Sequence, residues 1–126
     1  MQDRPDAAEL AQAVHEFIER ELLPTIDDPR LRFRTLVALN GLGILERELS
    51  IGAPLVRGEV ESLAALLGRS LAMPEDDEGA RRLALELNLE LARRIRASEA
   101  PAGTLEHLRR TAADKLRVAR PKSLER

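Results

Sequence analysis

His15-Glu16-Phe17-Ile18-Glu19 carries the first half of an H-E-x-x-H signature. In that motif two histidines one helical turn apart bind zinc, and the glutamate serves as the base. Here Glu19 stands where the second histidine belongs. The other histidine, His107, is far along the chain, and there is no cysteine. Zinc requires several nitrogen or sulfur ligands converging on one point, so no metal ligand is assigned. Gln12 and Thr104 stand three residues before the two histidines, which removes the Glu-x-x-His pair of di-iron bundles. Asn40-Gly41-Leu42-Gly43 contains a G-x-G, but it lies within a helical pattern and has Glu46 at the place of the third glycine. That excludes a dinucleotide loop and leaves close helix packing as the reading. No catalytic residue and no cofactor is assigned, and both histidines are read as surface or half-buried helix residues.

A polar set on one helical segment remains. Asn40 lies four residues after Leu36 and four before Ile44, which points it toward the core. Asn88 has a comparable setting further on. An unpaired buried amide costs about 1–3 kcal/mol, so each should bind a neighbouring helix or the other asparagine. The alternative is a pocket with Asn40 as its floor and Arg34, Arg47 and Glu48 around it. Arg30, Arg32 and Arg34 open the same segment against the helix dipole. They call for carboxylates from the first helix, or for an anionic partner.

Five helical segments account for the elements that position these residues. Asp6-Ala-Ala-Glu9 reads as a capping box for a helix carrying Leu10, Val14, Phe17, Ile18 and Leu22, stopped by Pro24. Asp28-Pro29 opens the second, with Phe33, Leu36, Val37, Ile44 and Leu45 as one stripe and Leu39, Leu42 and Leu49 as another. Gly52 and Pro54 mark its exit. The third covers about Leu55 to Leu71, with Val60, Leu63, Leu66 and Leu67 inward and Pro74 beyond. The fourth runs from the acidic Glu75–Glu78 cluster to Arg93, Arg94 and Arg96, as a helix dipole favours. Its alternating leucines, Leu83 to Leu91, could suit a strand, but length and composition favour a helix buried on two faces, within the fold or at a homodimer interface. The fifth spans about Thr104 to Ala119, with Leu105, Leu108, Ala112 and Leu116 inward. The expected fold is all-α: one domain, residues 1–120, built as an antiparallel bundle of about five helices around the second and fourth, with residues 121–126 as a frayed tail.

Composition agrees. The chain is 44% hydrophobic and 33% charged, rich in leucine and alanine, with two aromatic residues, Phe17 and Phe33. Cysteine chemistry is excluded. The start is polar and acidic rather than a signal peptide, and no apolar run is long enough for a membrane, which points to the cytoplasm. The basic excess near the C-terminus lacks aromatics for base stacking and any DNA-binding motif, which argues against nucleic acid.

The stretches RPDAAELAQAVHEFIERELLP and LRFRTLVALNGLGILEREL resemble a family of small bacterial proteins classed as a domain of unknown function. The second-helix pattern R-F-x-x-x-V-A-x-N-x-L-x-I-V-x-R-E-L is matched by Arg32, Phe33, Val37, Ala38, Asn40, Leu42, Ile44, Arg47, Glu48 and Leu49. Asp6 replaces a threonine in the first pattern, and Leu45 a valine in the second. Genes of that family lie beside those of phosphotransferase-like kinases and acyl-CoA dehydrogenases. The resemblance implies a role beside a kinase-plus-dehydrogenase route for acyl-CoA or hydroxyacyl compounds; the leading expectation is a non-catalytic accessory domain that binds one of these neighbours, with Arg34, Asn40, Arg47 and Glu48 as the contact or pocket. A bundle binding an acyl or CoA-type molecule is the second expectation, and a helical nucleic-acid-binding regulator the third.

Overall fold

The computed structural model describes residues 3–124, and every described element is helical. Helix α1 (Ala7–Phe17) is held by the expected capping box: the Asp6 carboxylate accepts from the Glu9 amide at 2.8 Å, and Glu9 accepts from the Asp6 amide at 3.3 Å. It continues as a π-helical turn, Ile18–Leu22, and a 3₁₀ turn, Leu23–Thr25, that contains Pro24. Helix α2 (Pro29–Arg47) starts where Asp28 accepts from the Leu31 amide at 2.9 Å, with Pro29 in the first turn.

The expected exit at Gly52 and Pro54 is not an exit. A π-helical turn, Glu48–Gly52, carries α2 without a break into α3 (Ala53–Leu66). A proline inside an α-helix lacks one amide and presses its ring on the carbonyl four residues back. The wider π turn ahead of Pro54 relieves that pressure at Ser50. The Ser50 hydroxyl donates to the Glu46 carbonyl at 2.8 Å, covering an acceptor in the loosened turn. The described residues therefore form four continuous helical rods rather than about five helices. The longest, Pro29–Leu66, measures roughly 57 Å at the usual rise per residue.

Two rods end in αL caps. Gly68, at φ 67°, donates to Ala65, and Arg69 donates to Ala64, the paired bonds of a Schellman motif. Ser98 does the same at φ 61°, with bonds to Ile95 from its own amide and to Arg94 from Glu99. Helix α4 (Asp77–Arg96) begins at the Asp76 cap and is helical throughout its leucine-rich centre. Helix α5 covers Thr104–Ala119, and Pro121–Leu124 adds a 3₁₀ turn. Residues 125 and 126 of the expected tail lie outside the described residues.

The core sits between α3 and α4, not between the second and fourth expected helices. Val60, Leu63 and Leu67 interlock with Ala84, Leu87 and Leu91, flanked by Val56, Leu66, Met73 and Leu83. Helix α2 instead pairs with α1, and the buried apolar side chains there are Ala11, Leu23 and Leu39. Neither glycine of the G-x-G lets another backbone approach: Gly43 is buried, but a Cβ there would stand at ordinary contact distance from the Arg47 and His15 side chains, and Gly41 faces open space.

Helix α5 is turned away from the expected orientation. Thr104, His107 and Thr111 are buried, whereas Leu105, Leu108 and Ala112 are exposed. Polar pairing outweighs the apolar stripe, because α5 docks where α3 presents Ser62 and Glu59 rather than leucine. Of the two leucine faces of α4, Leu87 and Leu91 are buried, while Leu85 and Leu89 face outward.

Candidate functional site

A cleft of about 230 Å³ opens where the Glu48–Gly52 turn meets α3, α4 and α5. Leu55, Val56 and Val118 give it apolar walls, and Glu48, Glu59, Arg81, Asp114 and Lys115 give it a charged lining. Glu48 enters the cleft because the π turn swings it toward α4, where it pairs with Arg81 at 2.5 Å. Its carboxylate also fills the space beside Gly52, where no Cβ stands. Glu59 is nearly buried and accepts from Asn88 Nδ2 at 3.0 Å and from Lys115 Nζ at 3.5 Å. Asn88 also donates to the Ala84 carbonyl at 2.9 Å. Its partner is therefore a carboxylate of α3, not Asn40.

Next to the cleft, α5 is fixed to α3 by a serine–histidine pair. Ser62 Oγ lies 2.6 Å from His107 Nδ1, and Arg110 donates to the same Oγ. Arg110 takes one lone pair of the Ser62 oxygen and leaves a second, so the serine donates to Nδ1 or accepts from it according to the tautomer of the ring. Nε2 is buried without a partner. Burial and then the Arg110 guanidinium push the His107 pKa below its ordinary value; Glu59 pulls it up by less than these, and Lys115 adds the smallest downward push. A histidine within hydrogen-bond reach of a serine has the form of a base beside a nucleophile. Ser62, however, lies inside α3, where the neighbouring amides serve the helix and cannot stabilise an oxyanion. The pair is a clasp between helices.

The four residues singled out on the second helix are not gathered into one site. Arg34 and Asn40 are exposed, so Asn40 does not point into the core. Arg47 reaches across Gly43 and donates from Nε to the Val118 carbonyl at 2.6 Å, tying the end of α5 to α2. Of the four, Glu48 alone lines the cleft, roughly 20 Å along the rod from Arg34. Arg32 donates to the Leu23 carbonyl at 3.0 Å, rather than to a glutamate of α1. His15 is half-buried, as expected, and meets Glu46 at 3.2 Å, joining α1 to α2. His107 is buried rather than half-buried. Sequence reasoning passed over Ser62, Glu59 and the buried role of His107. The available signal was the helical spacing of Thr104, His107 and Thr111, which makes a polar stripe as regular as the apolar one beside it.

No helix among the described residues is long and apolar enough to cross a membrane. In comparison with known families, residues 24–123 match the model of a domain of unknown function, DUF6285. The match runs from the end of the first helical rod through α5, so most of the first quoted stretch lies ahead of it. No curated protein and no solved structure matches the chain.

Proposed function

We propose, for a chain that belongs to the DUF6285 family of domains of unknown function, the role of a non-catalytic accessory domain that docks on a larger protein. One observation carries this reading. Phe33, Leu36, Val37 and Asn40 lie at i, i+3, i+4 and i+7 on α2, and all four are exposed. Phe33, one of two aromatic residues in the chain, is 66% exposed. An apolar stripe with an aromatic anchor and one amide is the make-up of an interface centre. In this reading Asn40 stands in the contact, on the outer surface rather than at a pocket floor.

The cleft supports the same choice. Its volume falls below the roughly 300–1,000 Å³ of ordinary ligand pockets, its two cations, Arg81 and Lys115, are paired with Glu48 and Glu59, and the larger hollows of about 460 Å³ between α3 and α5 are shallower than this one. An acyl-CoA would require much more space and unpaired cations for its phosphates. The partner proposed is the phosphotransferase-like kinase or acyl-CoA dehydrogenase that the family resemblance implies. The test is capture by the purified chain of each neighbour, expressed separately. Wild type should retain one of them and Phe33→Glu should not. Failure of both to bind wild type, or equal capture by the variant, would defeat the proposal.

A further inference from the structure

We infer that the segment docking on the exposed stripe of α2 is an acidic amphipathic helix, with carboxylates placed to meet Arg30 and Arg34. This rests on the docking reading above and names the chemistry of the partner. Helical phase puts the arginines on the docking face. Each residue of a helix turns the outward direction by about 100°. Taking Val37 as the centre, Arg30 lies about 20° from it, Phe33 and Gly41 about 40° to either side, and Asn40 and Arg34 about 60° to either side. All six are exposed, Phe33 and Val37 at 66% and 56%. Leu39 and Gly43, the buried residues of α2, point about 160° and 120° away from Val37. The face thus looks away from the rest of the chain.

Three of the six have no task within the fold. Arginines near a helix N-terminus oppose the dipole. Arg32 is compensated by the Leu23 carbonyl. Among the described residues, Arg30 and Arg34 form no ion pair. Of the two acids just ahead of α2, Asp28 is taken up by the Leu31 amide. Gly41 weakens a helix interior, yet a Cβ there would meet nothing, so no part of this chain uses its smallness. The backbone of a second helix crossing at that point would use it.

Charge and spacing say which occupant fits. From Pro29 to Leu45 there is no carboxylate, in a chain that holds 22. A second copy in an isologous contact would bring the same acid-free face, and the arginines would stay unpaired. A nucleic-acid backbone would meet the arginines and leave the Phe33–Val37 centre without an apolar counterpart. A partner with both carboxylates and apolar side chains satisfies the whole face. Arg30, Phe33, Val37 and Asn40 follow one another at steps of three, four and three, the spacing of a helix–helix seam. In such a seam one asparagine fixes the register. The face runs roughly 17 Å from Arg30 to Gly41, which holds about three turns of a partner helix.

Selection of displayed helical peptides against the full chain tests this. The peptides span about three heptads, with apolar seams and flanking positions randomised over Glu, Gln and Lys. Wild type should enrich Glu at the flanks. Arg30→Glu with Arg34→Glu, checked for unchanged circular dichroism, should enrich Lys instead. Arg30→Gln with Arg34→Gln should weaken an enriched peptide about tenfold in fluorescence anisotropy. Phe33→Glu should retain none. Gln or Lys at the flanks from wild type, or flanks that do not follow the charge reversal, would overturn this inference and leave the docking reading standing. Retention of a DNA duplex by wild type but not by the double Gln variant, with no Glu enrichment, would assign the arginines to nucleic acid and overturn it as well. Peptides held equally by Phe33→Glu, or none held by wild type, would overturn both readings.

Discussion

Replacing Gly52 by alanine should move Glu48 out of the cleft while leaving the fold nearly unchanged in stability. Gly52 has helical backbone angles, φ −61° and ψ −49°, so alanine fits the chain there. An added Cβ would stand 2.6 Å from the Glu48 carboxyl carbon, too close to coexist. The obstacle is the end of a flexible side chain, and it can swing aside. Alanine gains about 1 kcal/mol over glycine in a helix interior. Displacing Glu48 gives up its pair with Arg81, which is more than a third exposed on both sides and contributes about 0.2–1 kcal/mol. The net change should lie between zero and about 0.8 kcal/mol of stabilisation. Urea unfolding of the four members of a Gly52→Ala, Arg81→Ala cycle reads both effects. Arg81→Ala should cost up to about 1 kcal/mol in the wild-type background and nothing in the Gly52→Ala background. An equal cost of Arg81→Ala in both backgrounds would show that Glu48 had not moved. A loss of more than about 2 kcal/mol in Gly52→Ala would show that the backbone, not the side chain, gives way.

Ser98→Gly should raise stability by about 1 kcal/mol in the same assay, because Ser98 is held at φ 61°, where a side chain is strained. Leu87→Ala, in the centre of the α3–α4 core, should cost about 2–5 kcal/mol. His107 binds its proton more weakly in the folded chain than at its ordinary 6.5. The unfolded chain therefore takes up more protons below that pH, and the stability His107 contributes at neutral pH should drain away as pH falls from about 6.5 through the lowered value. His107→Asn, whose amide can donate to Ser62 or accept from it, should flatten that part of the stability profile when thermal unfolding is followed against pH.

The sequence made the ends of elements legible more readily than their rotations. Asp6, Asp28 and the acidic start of α4 begin helices because side-chain oxygens satisfy free amides, a local matter readable from neighbours. The α5 orientation was not readable in that way. Two stripes of equal regularity competed, and the winner depended on Ser62 and Glu59, which come from another helix. The continuation past Pro54 was hidden for a related reason. Proline ends an α-helix on local grounds, and the π turn that accommodates it has no residue signature of its own. Asn88 was recognised as needing a partner, but the choice of Glu59 over Asn40 rests on how α3 and α4 pack. Within the candidate site, Glu48 was singled out in advance, and Arg81 and Lys115 were not, since their pairing joins residues dozens of positions apart.

The π turn at Glu48–Gly52 works like a keyed coupling between two shafts. One additional residue in a helix advances everything beyond it by about 100°. The direction in which the α1–α2 hairpin faces, relative to the α3–α4 body, is therefore set by a single residue of chain length. Loss of one residue here would rotate one half against the other by more than a quarter turn and pull Arg47 of α2 away from the Val118 carbonyl of α5, which is itself clasped to α3. The angle between the two halves is in this sense a counted quantity, and helix α5, which engages both at once, is what an insertion or deletion at this turn would dislodge first.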